Sequence, residues 1–183
     1  MDNDIKEIIL TEVQIKTICR NLGEKITNDY KDKELLVVGF LRGCVPFLAE
    51  LIKHIKLPME YDFMHVSSYN GTKSTGNVKI NHDLSRDIKG VHVLIVEDIV
   101  DTGITLNSII PMLKSRQPAS IEIATLLDKP EGRKIDNFNP KYVGYQVPNL
   151  FVVGFGLDYD DKYRNLPYVG VLKEEVYSRW NQQ

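Results

Sequence analysis

The chain has 183 residues, 43% of them hydrophobic, and a formal net charge of −2 at pH 7, the size and balance of a soluble globular protein that can bury a substantial core. It has no basic cluster that would suggest a nucleic-acid partner. Nor has it a run near the ~18 apolar residues that span a bilayer. Cys19 and Cys44 are its only cysteines, too few for a disulfide framework, and Met1-Asp2-Asn3-Asp4 reads as neither signal nor transit peptide. A reducing cytoplasm is the expected location.

In chain order, Thr11-x-x-Gln14 has the form of a capping box. Ile15, Ile18, Cys19, Leu22 and Ile26 follow at helical spacing and predict a helix packed on a sheet. The apolar run over 35–41 predicts a strand, and Pro46 suits the first turn of a helix over 44–55. A strand over 60–67 leads into Ser67-Ser68-Tyr69-Asn70-Gly71 and on through Gly76-Asn77-Val78-Lys79. That stretch lacks periodicity and reads as a long mobile loop, the kind that serves as a lid. Further strands are predicted over 91–97, 120–127, 142–146 and 151–155, with a helix over 105–116 in which Pro111 predicts a kink. Strand–helix alternation of this kind predicts an α/β fold: a single domain over 1–183 with a mainly parallel twisted sheet flanked by helices. His54, His65, His82 and His92 show no metal-ligand spacing and are read as surface or loop residues. Trp180 is read as a packing anchor or an interface residue.

The most informative segment is Val93–Leu106, VLIVEDIVDTGITL. Its apolar β-branched start has the pattern of a strand buried on both faces. Glu97 and Asp98 follow where that strand is expected to end. Asp101-Thr102-Gly103-Ile104-Thr105 then turns into the helix carrying Leu106, Ile109, Ile110 and Leu113. A helix N-terminus offers unpaired N–H groups to a phosphate, and Gly103 lets the backbone approach it closely. Thr102 and Thr105 add hydroxyl donors, and Thr105 is also a candidate helix cap. Carboxylates beside such a turn suit the 2′- and 3′-OH of a ribose, with Mg²⁺ nearby. These features predict a site for a sugar phosphate with metal. There is no G-x-x-x-x-G-K-[ST], and Gly154-Phe155-Gly156 lacks the third glycine of a dinucleotide fingerprint.

This stretch resembles the 5-phosphoribosyl-1-pyrophosphate (PRPP) signature of the type I phosphoribosyltransferases, most closely that of the hypoxanthine-guanine phosphoribosyltransferases. The resemblance extends from about Leu35 to about Val171. Leu41-Arg42-Gly43 matches the family tripeptide that carries a cis peptide bond and holds pyrophosphate through its amides. Ser68 and Tyr69 match the Ser-Tyr pair of the closing loop. Lys129 matches the lysine that donates to the purine 6-oxo group, which an adenine amino group could not accept. Phe151 matches the ring that stacks on the purine, and Val152 the residue whose main chain reads the base edge. Asp158 corresponds to a ligand of a second Mg²⁺ in the purine pocket, and Arg164 to the arginine on the leaving pyrophosphate. Phe155 is read as core.

The resemblance implies transfer of 5-phosphoribosyl from PRPP to hypoxanthine or guanine, giving IMP or GMP. Asp101 would act as general base or hydrogen-bond partner at purine N7, and Glu97, Asp98 and Asp158 as metal-side carboxylates. It also implies a homo-oligomer, dimer or tetramer, and a small hood over the C-terminal sheet edge built from the terminal segments, which Tyr142–Asp158 is expected to supply here. Ile104 stands where some members carry a basic residue, and Arg42 where many carry lysine, which is not equivalent. The alternative is a PRPP-sensing regulator of the same fold with little or no catalysis.

Overall fold

The structure, a computed structural model, describes residues 1–68, 78–136 and 138–178. Tyr69 and Trp180 therefore lie outside the described residues, as does most of the expected loop.

Two apolar runs organise the main sheet. In β2 (Leu35–Leu41) and β5 (His92–Val100), successive residues point to opposite faces. Leu35, Val37, Leu94 and Val96 enter one core, and Leu36, Val38, Val93 and Ile95 the other. Burial on both faces is why these strands carry no polar alternation. The first core is closed by α1 (Glu12–Asp29) and α2 (Val45–Leu51), through Ile15, Cys19, Leu22, Ile26, Phe47 and Leu48. The second is closed by α3 (Ile104–Lys114), through Leu106, Ile109 and Leu113. The capping box of α1 forms as expected: Gln14 N donates to Thr11 Oγ1 at 3.3 Å, and Thr11 N to Gln14 Oε1 at 2.8 Å.

The six-stranded sheet also contains β3 (Glu60–Ser68), β4 (Val78–His82), β6 (Ser120–Asp128) and β7 (Tyr142–Gln146), in the order β4-β3-β2-β5-β6-β7. All neighbours are parallel except β3 and β4. Three short strands, β1 (Ile5–Leu10), β8 (Val152–Val153) and β9 (Val169–Leu172), make a separate antiparallel sheet in the order β1-β9-β8. A short helix, α4 (Glu174–Ser178), follows β9. The small sheet shares its core with α1 and α2 through Leu10, Val152 and Val169. No helix among the described residues is long and apolar enough to cross a membrane.

Several expectations need correction. Tyr142–Gln146 is not hood: it pairs in parallel with β6 as the edge of the main sheet, and the small sheet comes from β1, β8 and β9. Ser68, Val78 and Lys79, assigned to a loop, are paired in the β3–β4 ladder. β5 does not stop at the acid pair, because Ile99 and Val100 continue its pairing with Leu127 and Asp128. His65 and His92 are half-buried strand residues, whereas His82, although in β4, is exposed as expected. As expected, Pro111 falls late in α3, away from its N-terminal turn, and the helix continues through it.

Candidate active site

The chemistry-bearing residues gather at the carboxyl ends of β2, β5 and β6, where open α/β sheets place their ligands. Parallel pairing of Val100 with Asp128 makes the next residues on each strand neighbours. Lys129 Nζ lies 3.4 Å from Asp101 Oδ2, with the lysine 12% and the aspartate 43% exposed. After Asp101 the chain turns at Gly103, which has φ +77° and is the N-cap of α3. Thr105 is thus the second residue of the helix and not its cap, a correction to its expected dual role. A glycine cap has no side chain to compete for the first-turn N–H groups, which stay open to an anion. Of these, Ile104 N has, among the described residues, a 3.4 Å contact to Thr102 Oγ1.

Two cavities meet here. One, of about 170 Å³, is lined by Glu97, by Asp101 to Gly103 and by Thr105. The other, of about 270 Å³, is lined by Asp98, Lys129, Phe151, Val152, Leu157 and Asp158. Ile99 and Asp101 belong to both walls, so Asp101 sits at the junction. A wider depression of about 700 Å³ between residues 27–35 and 56–60 lies at the opposite end of the sheet, and no expected site residue lines it.

The β2–α2 turn presses on the acid pair. The Leu41–Arg42 peptide bond is cis, as the resemblance implies. At Gly43 a Cβ would stand 1.7 Å from Asp98 Oδ2, so only glycine lets the turn close on this carboxylate. Burial, reinforced by Asp98, drives the Glu97 carboxyl well above its ordinary range. Asp98 is pushed up to about 6 by burial, against the opposing pull of the Ile99 N–H and of Arg164. Folded protein thus keeps the Asp98 proton up to about pH 6, whereas an unfolded chain releases it near ~3.9. The ligand-free fold loses stability as pH rises through that window, and above it holds an unfavourable buried charge. Asp98→Asn is therefore expected to raise Tm by a few degrees at pH 7.5 but not at pH 4, given roughly 2–4 °C per kcal/mol for this chain length. Calorimetry at the two pH values checks this; a lower Tm at pH 7.5 contradicts it.

Arg42 and Arg164 converge on one carboxylate. Arg42 Nη2 contacts Asp161 Oδ1 and Oδ2 at 2.8 and 3.0 Å. Arg164 Nη2 reaches Asp161 Oδ1 at 3.1 Å and Asp158 Oδ1 at 2.8 Å, and its Nη1 donates to the Gly156 carbonyl at 2.8 Å. Asp158 Oδ2 also accepts from Asp161 N at 3.0 Å.

Comparison with known proteins follows this geometry. Residues 7–160 match the phosphoribosyl transferase domain. A hypoxanthine-guanine phosphoribosyltransferase of Streptococcus pneumoniae is 53% identical over 179 residues, covering 97% of this chain and 99% of that protein. A hypoxanthine phosphoribosyltransferase of Staphylococcus aureus superposes with a TM-score of 0.93 at 54% identity, covering 97% of this chain and 96% of that one. The chain belongs to the hypoxanthine-guanine phosphoribosyltransferase family. A Trypanosoma cruzi hypoxanthine phosphoribosyltransferase variant solved with the product IMP matches at a TM-score of 0.91 and 40% identity, over 97% of this chain and 96% of that one.

Against the family pattern, most expected residues come together: Leu41, Arg42, Gly43, Glu97, Asp98, Asp101 to Thr105, Lys129, Phe151, Val152, Asp158 and Arg164 share this end of the sheet. Ser68 ends β3, and Tyr69 lies outside the described residues. The expected metal set of Glu97, Asp98 and Asp158 does not close into a cage: among the described residues no group of three or more His, Cys, Asp or Glu is placed to hold an ion. Asp158 is paired with Arg164 in this structure. Phe155, read as core, packs on the α1–α2 cluster.

Sequence reading missed the residues behind the site. Arg133 donates to the Asp101 carbonyl at 2.7 Å, pairs with the Asp128 carboxylate, and lies over the Phe138 ring at 5.6 Å. Gly132 leaves room for Asp101, since a Cβ there would stand 1.9 Å from its Oδ1. Asp161, the shared partner of both arginines, was also overlooked. These residues sit in short irregular turns with no periodicity to reveal them.

Proposed function

We propose that the chain transfers the 5-phosphoribosyl group of PRPP to N9 of hypoxanthine or guanine, releasing pyrophosphate and forming IMP or GMP. The observation that carries this reading is the Lys129–Asp101 pair, 3.4 Å apart, beside the cavity walled by Phe151 and Val152. A 6-oxopurine presents O6 and N7 on one edge. An ammonium and a carboxylate at that spacing match them: Lys129 donates to O6, and Asp101 accepts from N7–H. Phe151 stacks on the base, and the Val152 main chain reads its far edge, the carbonyl accepting from a guanine 2-amino group.

The 5′-phosphate takes the first turn of α3, with Gly103 and Ile104 amides and Thr102 and Thr105 hydroxyls as donors. Glu97 and Asp98 accept from the ribose hydroxyls. As N9 attacks C1′, the bond from C1′ to the pyrophosphate oxygen breaks and its electron pair leaves with pyrophosphate. The ribose ring carries positive charge in passing, as in glycosyl transfer generally. Asp101 takes the N7 proton as the imidazole ring becomes electron-poor. Arg164, Arg42 and the amides of the Leu41–Gly43 turn hold the departing anion.

The residues present fit Mg²⁺. Their donors are all carboxylate oxygens, and two half-buried acids, Glu97 and Asp98, that line the cavities and form no salt bridge among the described residues favour a cation there. Mg²⁺ is held by one or two carboxylates plus substrate oxygens and needs no all-protein cage. Glu97, Asp98 and Asp158 are the residues that would hold it. When bound it neutralises charge on the pyrophosphate. A cytoplasmic setting suits the two buried free thiols, Cys19 and Cys44, and a homo-oligomer is proposed from the family resemblance.

Lys129→Gln tests base recognition. Loss of a charged hydrogen bond is worth about 1.5–3 kcal/mol, so kcat/KM for hypoxanthine is expected to fall about 10- to 100-fold, with little change in KM for PRPP. Unchanged kcat/KM for hypoxanthine would remove Lys129 from the base site.

A further inference from the structure

Phe151, the ring assigned above to the purine, is 41% exposed and is held from two directions. Its carbonyl accepts from Leu172 N at 2.9 Å, which ties it to the end of β9. Its ring stacks on that of Tyr177 in α4, with centroids 5.1 Å apart and planes 25° from parallel. Tyr159 meets it edge-on at 5.6 Å and 85°. Phe151 lines the 270 Å³ cavity and Tyr177 does not. Tyr177 instead packs with Val176 on the small-sheet cluster of Val153, Tyr163, Leu166 and Leu172. An aromatic ring has two faces; Tyr177 covers one of them from outside the cavity wall, which leaves the other for a base.

We propose that Tyr177 is a positioning residue for the base, backing Phe151 so that purine, Phe151 and Tyr177 form a three-layer stack. The inference rests on the reading of Phe151 given above. Without its backing, the Phe151 side chain gains rotamer freedom that base binding must remove, and the effect falls on purine affinity alone. Offset stacking between aromatic rings is an interaction of the right size. Helix α4 thereby sets how firmly the base is held, although none of its described residues lines the pocket.

The test is steady-state kinetics on intact protein with PRPP, Mg²⁺ and either hypoxanthine or guanine. Tyr177→Ala is expected to raise the purine KM about three- to tenfold, with kcat and the KM for PRPP within about twofold. Tyr177→Leu, which keeps apolar packing and removes the ring, gives the same rise, and Tyr177→Phe restores the original value. A merely structural role would move Tm and both KM values together, which overturns the proposal. A fall in purine KM would place Tyr177 on the face the base occupies and overturns it equally. Phe151→Ala separates the two levels. If it leaves purine KM unchanged, the reading of Phe151 itself fails. If it raises purine KM while Tyr177→Ala and Tyr177→Leu do not, only the role of Tyr177 fails.

Discussion

Asp101→Asn is expected to lower kcat by about 10²- to 10⁴-fold, the range a positioned general base supplies. The substitution preserves volume where volume is constrained, since Gly132 abuts the Asp101 carboxylate. It leaves the Asp101 main-chain carbonyl free to accept from Arg133 as before. What it removes is the group proposed to receive the N7 proton, together with the ion pair with Lys129. PRPP binding is proposed to rest on the α3 N-terminus, so its KM is expected to stay within a few-fold and Tm within a few degrees. A kcat within threefold of the parent, measured with saturating hypoxanthine and PRPP, would show that Asp101 is no base in this reaction.

Arg133→Met is expected to have the largest effect on stability. The Arg133 side chain is 12% exposed and the Asp128 side chain 7%, so the substitution leaves a buried carboxylate without its cation. Breaking such a pair costs about 3–5 kcal/mol, or a fall in Tm of roughly 6–20 °C at this chain length. A second effect reaches the site. Arg133 ties the turn after β6 to the phosphate turn through the Asp101 carbonyl, in parallel with the backbone bonds from Lys129 N to Val100 O at 2.9 Å and from Lys134 N to Thr102 O at 3.0 Å. Adding Asp128→Asn to Arg133→Met removes the stranded charge, so Tm is expected to recover in part. The KM for PRPP is expected to remain raised, because the donor to Asp101 is still missing. Thermal melts of the single and double variants check the first claim, and PRPP titrations the second. A loss below about 1 kcal/mol in the single variant would contradict the buried-pair account.

What the sequence disclosed follows from how each element is stabilised. β2 and β5 are legible because burial on both faces leaves an unbroken apolar run, and α1 because Thr11 and Gln14 cap it locally. β1 carries Lys6 and Glu7 in six residues, β9 has four residues, and β4 follows a glycine-rich stretch. Such strands take their identity from the partner they pair with, which no local pattern records. The same holds for Tyr142–Gln146, whose sequence does not say which sheet it joins. The phosphate turn was readable because its residues are contiguous. Asp101 and Lys129 became neighbours through the β5–β6 register, which two adjacent parallel strands make accessible to reasoning. Arg133 and Asp161 depend on the path of irregular turns, including positive-φ residues at Asp160, Asp161 and Tyr163, and no spacing rule reaches them.

The central claim is the identity of the transferred group and its acceptor. The most direct measurement is nucleotide formation from PRPP and Mg²⁺ with hypoxanthine, guanine, xanthine and adenine supplied one at a time. Turnover of hypoxanthine or guanine to IMP or GMP with stoichiometric pyrophosphate, and none of adenine, is the expected result. Folded protein that binds PRPP and turns over none of the four would contradict the account and leave a PRPP-binding regulator in its place.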